Sequence, residues 1–190
     1  MLDKKYLAAI RTDLLNYAPK RREMIKIAGD AQHLAKKAIF ALQRDDVKTA
    51  DEVLAQAKNL LVEMNKKHED EKDLFAEGSY RASLEEFTEA ALFRQFFSGK
   101  TIGKIKGLEI DSDTFVGGLC DVPGELLRYA IKSATERKFE MVKKCHEAAE
   151  EIIGELVDMD LTGYSRQKFD QAKQALHKLE QVVYEVSLKR

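Results

Sequence analysis

Very little in this chain would stop a helix. Prolines occur only at 19 and 123, and there are only ten glycines in 190 residues. Between them, apolar residues recur at the three-to-four-residue spacing of one helix face, and no stretch alternates like a strand. A chain so short of breakers and so rich in good helix formers is predicted to be all-α. At 190 residues it can bury one substantial core, so a single helical domain over residues 1–190 is expected.

Seven helices are expected. The first, over 3–17, places Leu7, Ile10, Leu14 and Leu15 on one side, and Pro19 is expected to end it. The second starts in the turn that Pro19 suits and runs to Arg44, with Met24, Ile27, Ala28, Ala31, Leu34, Ala35, Ala38 and Leu42 inward. Asp45-Asp46 then caps a third helix from Val47 to about Glu69. The mixed-sign run 66–73 reads as a solvated face. Tyr80–Ser98 is the fourth helix, and a Gly- and Lys-rich loop over 98–107 follows it. Asp111-Ser112-Asp113 caps a fifth that reaches Arg137, in which Pro123 is expected to cause a kink or a break. Phe139–Asp158 and Tyr164–Leu188 complete the set.

The formal net charge is −1, but charge is unevenly spread. Residues 19–44 carry seven bases and two acids, a local charge of +5, whereas residues 140–160 carry seven acids and two bases. Within the basic segment Arg22, Lys26, His33, Lys37 and Arg44 fall in an arc of about 60° at 100° per residue. Such a stripe suits a nucleic-acid backbone read without regard to sequence. Cys120 and Cys145 form no CxxC pair and are expected to be reduced. No apolar run approaches the roughly 20 residues that span a bilayer, and no signal peptide is recognisable, so a soluble cytoplasmic protein without membrane contact is expected.

Two acidic strings stand out, Glu86-Phe-Thr-Glu89 and Asp121-Val-Pro-Gly-Glu125. Within each, the carboxylates are three or four residues apart and share a helix face. Glu86 lies within about 40° of Ala82, Ala90, Phe93 and Phe97, the apolar side of its helix; Glu89 borders that side, and Arg81, Glu85, Thr88 and Gln95 lie opposite. A carboxylate aimed into an apolar face needs a partner, and a hard divalent cation is one. Asp121 and Glu125 share a stripe with Thr114, Gly118, Arg128 and Lys132. Acids followed a turn later by a base suit a metal–phosphate site, with Arg128 and Lys132 placed for the phosphate. The plainer alternative is that each acid serves a cap or an ion pair of its own, with Glu86 on Arg94 or Arg128. A di-iron bundle would need two Glu-x-x-His pairs, and no histidine follows a Glu by three.

These strings, with Arg22-Glu-Met-Ile-Lys26, the Asp121–Arg128 segment and Tyr164–Val186, resemble the translin family, its factor X branch in particular. The similarity follows the order of the whole chain. It departs at Val122-Pro123, where the family typically has Leu-Thr. The resemblance implies a seven-helix protomer that assembles into a hollow homo-oligomeric shell, typically an octamer, and binds single-stranded RNA or DNA on its inner surface. It implies Mg²⁺- or Mn²⁺-dependent endoribonuclease activity, with Glu86, Glu89, Asp121 and Glu125 as the catalytic metal-binding acids. Arg22, Lys26, Lys37, Arg44, Arg128 and Lys132 are the expected nucleic-acid contacts. The absence of long terminal extensions is expected of a compact, prokaryotic-type member. The alternative within the family is a non-catalytic binding shell like translin proper.

Overall fold

The computed structural model describes residues 1–188. These residues hold six α-helices and a short 3-10 turn: α1 (Lys4–Leu42), α2 (Val47–Lys67), the turn Lys72–Ala76, α3 (Gly78–Phe97), α4 (Ser112–Thr135), α5 (Phe139–Val157) and α6 (Gly163–Ser187). The expected first and second helices are one. Pro19 lies inside α1, where it withdraws one donor from the backbone ladder. The residue four positions earlier, Leu15, is exposed, so water can satisfy the carbonyl that loses its partner. Pro123 likewise sits within an unbroken α4.

The buried residues explain the packing. On α1 one buried stripe runs through Met24, Ala28, Ala31, Ala35, Ala38 and Leu42, in alternating steps of four and three, with Ile39 and Ala41 buried beside its end. On α2 they are Ala50, Leu54, Ala57, Leu61 and Met64, with the same alternation. This spacing keeps one stripe facing a near-parallel neighbour over many turns, and the alanines let the axes approach. α1 packs along α2 and α3, while α4 packs along α3, α5 and α6. The α3–α4 contact therefore joins the two halves of the bundle. The expected caps form: Asp46 accepts from the Thr49 amide at 3.1 Å and Asp111 from the Thr114 amide at 2.9 Å. The run 66–73 is not wholly solvated, because His68 is 4% exposed.

Gly117 and Gly118 make the α3–α4 contact possible. A Cβ on Gly118 would stand 2.7 Å from the Glu85 carbonyl oxygen and 2.7 Å from Thr88 Cβ. Both belong to the body of α3 and cannot swing aside. Gly118→Ala is therefore expected to lose about 1–3 kcal/mol by overpacking, despite its better helix propensity. Gly124, one and a half turns on, meets nothing within 4 Å. Gly124→Ala is expected to gain up to about 1 kcal/mol. Urea denaturation of the two variants checks both signs.

Candidate functional site

The four acids lie on the two helices that meet at this contact, Glu86 and Glu89 on α3, Asp121 and Glu125 on α4. Glu89, not Glu86, is the deepest. It is 8% exposed, and among the described residues no hydrogen bond or ion pair reaches its carboxyl. Burial, reinforced by the charges of Asp121, Glu86 and Glu125, pushes its pKa up to about 9. The charges of these three acids thus act on Glu89, while Lys168 opposes them.

Each of those three has a partner of its own. Glu86 faces Lys36 of α1 at 3.5 Å, not Arg94, which pairs with Asp51, nor Arg128. Burial raises its pKa and Lys36 opposes the rise. Glu125 accepts from the Gln43 amide at 2.7 Å, and the same amide also reaches the Glu125 backbone carbonyl at 2.9 Å. Arg128 stands 3.6 Å from Glu125. Asp121 accepts from Lys168 of α6 at 2.5 Å. Burial raises the Asp121 pKa, with Lys168 pulling against it. Among the described residues, no three His, Cys, Asp or Glu side chains are already gathered as a metal-ligand set.

A fifth carboxylate belongs to the cluster. Glu85 was expected on the polar side of α3, with Thr88; both are buried. Glu85 accepts from Lys168 at 2.7 Å and from the Tyr164 hydroxyl at 3.0 Å. Lys168 also reaches the Gly117 carbonyl at 3.3 Å. Neither Lys168 nor Tyr164 stood out in the sequence, since they lie some eighty residues from Glu85 and carry no local pattern.

The expected nucleic-acid contacts divide. Arg22, Lys26 and Lys37 are exposed on α1 and Arg44 in the turn that follows it, where Arg44 lies 5.5 Å over the ring of exposed Phe40. Lys37, Phe40 and Arg44 line a groove of about 380 Å³ against the start of α2. Arg128 is exposed at the edge of the acids. Lys132 is turned away, paired with Asp45 at 2.5 Å beside the Tyr129 hydroxyl, which also donates to Asp45. That pairing clamps the α1–α2 turn, where Asp45 adopts a φ of 63°.

Residues 19–190 match the model of the translin family. The chain belongs to the translin family. Among curated proteins, no sequence matches it significantly. Solved structures of two C3PO proteins are similar to this translin-family chain. Apo-NeC3PO is 21% identical with a TM-score of 0.85, and 98% of each chain is covered. AfC3PO is 23% identical with a TM-score of 0.86, over 97% of this chain and 98% of that one. The AfC3PO–duplex RNA complex gives 22% identity and a TM-score of 0.86 over the same shares. At these identities the likeness is one of fold. The fold is thus the translin type, with six helices where seven were expected. No helix among the described residues is long and apolar enough to cross a membrane.

A carboxyl whose folded pKa lies above its unfolded value favours folding fully at pH below the unfolded value. That contribution is lost as pH rises through the folded value. For Glu89 the window runs from about 4.5 to about 9. In EDTA, the wild type is expected to lose stability across this range. Glu89→Gln, which mimics the protonated carboxyl, is expected to have a flatter profile and to exceed the wild type at pH 8 by on the order of 1–3 kcal/mol. Melting temperatures against pH for the two proteins provide the check.

Proposed function

We propose that this translin-family chain is a divalent-metal-dependent endoribonuclease of the factor X type that cleaves single-stranded RNA. In this proposal Glu86, Glu89, Asp121 and Glu125 hold Mg²⁺ or Mn²⁺. One observation carries it: among the described residues Glu89 is a buried carboxyl with no hydrogen-bond or ion-pair partner, and the charges of three more acids act on it. Such a group costs stability unless a cation joins it, and oxygen donors suit these ions. The existing partners of Glu86 and Glu125 are weak obstacles. Lys36 and Arg128 are more than half exposed and stand at 3.5 and 3.6 Å, and exposed pairs of this kind are worth about 0–1 kcal/mol. Gln43 occupies only one carboxylate oxygen of Glu125.

When bound, the metal supplies a Lewis acid and a nucleophilic water at neutral pH. The chain's own residues do the rest. Gln43 fixes the end of α1 against Glu125 and orients that carboxylate. Arg128, exposed beside Glu125, is placed to meet a phosphate. Gln32, Lys36 and Gln43 mark the stripe of α1 that faces the acids, and the exposed bases lie about 90° around the helix. An RNA backbone following Arg22, Lys26, Lys37 and Arg44 would therefore run alongside the acids. Phe40, exposed beneath Arg44, offers a face on which a base can stack. That AfC3PO has a solved structure in complex with duplex RNA supports RNA as the ligand; the preference for single strands is part of the proposal.

The active form is proposed to be a homo-oligomer, an octamer by family resemblance. Tyr6, Leu7, Ile10, Leu14 and Leu15 are all exposed on the first half of α1, more apolar surface than a monomer usually leaves in one place. Light scattering is expected to give eight times the 21.6 kDa chain mass, and a Leu7→Glu/Leu14→Glu variant a smaller species.

The second reading is a binding shell without catalysis, like translin proper. It is favoured by the intramolecular partners of Glu86, Asp121 and Glu125. Glu89→Gln and Asp121→Asn separate the two. Both are expected to abolish cleavage of labelled single-stranded RNA in Mn²⁺ while keeping RNA affinity within about threefold of wild type. Full cleavage by both variants overturns the nuclease assignment. EDTA-resistant binding with no product from the wild type establishes the shell.

A further inference from the structure

Among the described residues, Lys168 is the one cation of the cluster that the surface does not supply. Its side chain is 13% exposed, against 58% for Lys36 and 54% for Arg128. An ammonium has three donors, and all three are taken: by Asp121 Oδ2 at 2.5 Å, Glu85 Oε2 at 2.7 Å and the Gly117 carbonyl at 3.3 Å. Tyr164 closes the outer side, its hydroxyl on Glu85 and its ring 5.4 Å from the ammonium. The pocket for the head group is shaped by glycine, since a Cβ on Gly117 would fall 2.8 Å from the Glu85 carboxyl carbon. Carboxylate, carboxylate and carbonyl oxygens around one positive centre form a coordination shell of the kind a hard metal takes. Here a side chain fills it.

Charge counting gives the same answer. Glu85, Glu86, Glu89, Asp121 and Glu125 are five carboxylates. Lys36, Arg128 and Lys168 are the three cations that touch them. With all five ionised, the state in which they would hold a metal, the remainder is −2, the charge of one divalent ion. Burial works against the Lys168 ammonium, but its bonds to Asp121 and Glu85 outweigh that and hold its pKa above the ordinary lysine value.

We infer that Lys168 is a resident cation of the carboxylate cluster: it fills the position that a second metal would take, bridges Asp121 to Glu85, and limits the site to one divalent ion. The inference rests on the metal site proposed above. Lys168 is thereby a positioning residue, acting on the metal through Asp121.

The test is Mn²⁺ binding to the folded full-length chain, followed by calorimetry, in wild type, Lys168→Met, Glu85→Gln, the Lys168→Met/Glu85→Gln double variant, Lys36→Met and Glu89→Gln. The wild type is expected to bind one ion per chain. Removing a buried unit charge beside the metal is expected to tighten Mn²⁺ at least about tenfold, because little solvent screens it. Removing Lys36, an exposed charge, is expected to change affinity less than about threefold. Lys168→Met leaves two carboxylates without a cation and can fail to fold. The comparison of Glu85→Gln with the double variant then repeats the measurement with one of those carboxylates neutral, and the same tightening is expected. Two ions per wild-type chain, or unchanged or weaker Mn²⁺ binding on removal of Lys168 in whichever pair folds, overturns the inference. Equal Mn²⁺ affinity in wild type and Glu89→Gln instead overturns the metal site itself and identifies a different fault.

Discussion

The contact between α3 and α4 is the constraint on which the rest depends. Two glycines in succession, 117 and 118, bring the backbones so close that a single added methyl would collide with the Glu85 carbonyl or its carboxyl group. Larger residues at these two positions would force the helices apart and misfit the packing, and a carboxylate in an opened seam would be hydrated. Here Glu85, Thr88 and Glu89 are buried instead. The proximity of the axes turns acids that would be unremarkable on a surface into groups that must find a cation, a proton or a donor. The same contact joins α1, α2 and α3 to α4, α5 and α6, so fold and site draw on one piece of packing.

Within that frame the cluster shows three ways of settling a buried negative charge. Glu125 takes a neutral amide at 2.7 Å, with the exposed Arg128 standing farther off at 3.6 Å. Asp121 and Glu85 share an ammonium whose donors are all used, a geometry that can offset the cost of burying charge on both sides. Glu89 has neither, and its proton affinity rises until it stays neutral near pH 7. The neighbours that raise it are the residues that would share a metal with it.

Much of the fold was legible in the sequence, because helix signals are local. Asp46 and Asp111 cap where an Asp before an apolar run should, and the helices from α2 onward begin and end within a few residues of expectation. Pro19 was misleading because proline's effect depends on whether the orphaned carbonyl can meet water, which is a matter of tertiary exposure. The acids were legible by spacing alone, but their depth was not. An idealised wheel ranked Glu86 as the inward one, whereas α4 covers the side of α3 that carries Glu85 and Glu89. Lys168 was invisible, since its role is set by which helix α6 packs on and no pattern in its own segment records that.

α1 is 39 residues in one piece, about 58 Å of rod at 1.5 Å per residue. One end is sheathed in apolar side chains that the chain itself does not cover; the other, at Lys36 and Gln43, touches Glu86 and Glu125. Because Pro19 does not interrupt it, there is no joint between the two. In the proposed oligomer a rod held at one tip would pass any tilt on to the groups at its far end, so the geometry of assembly and the geometry of the acids would be mechanically coupled.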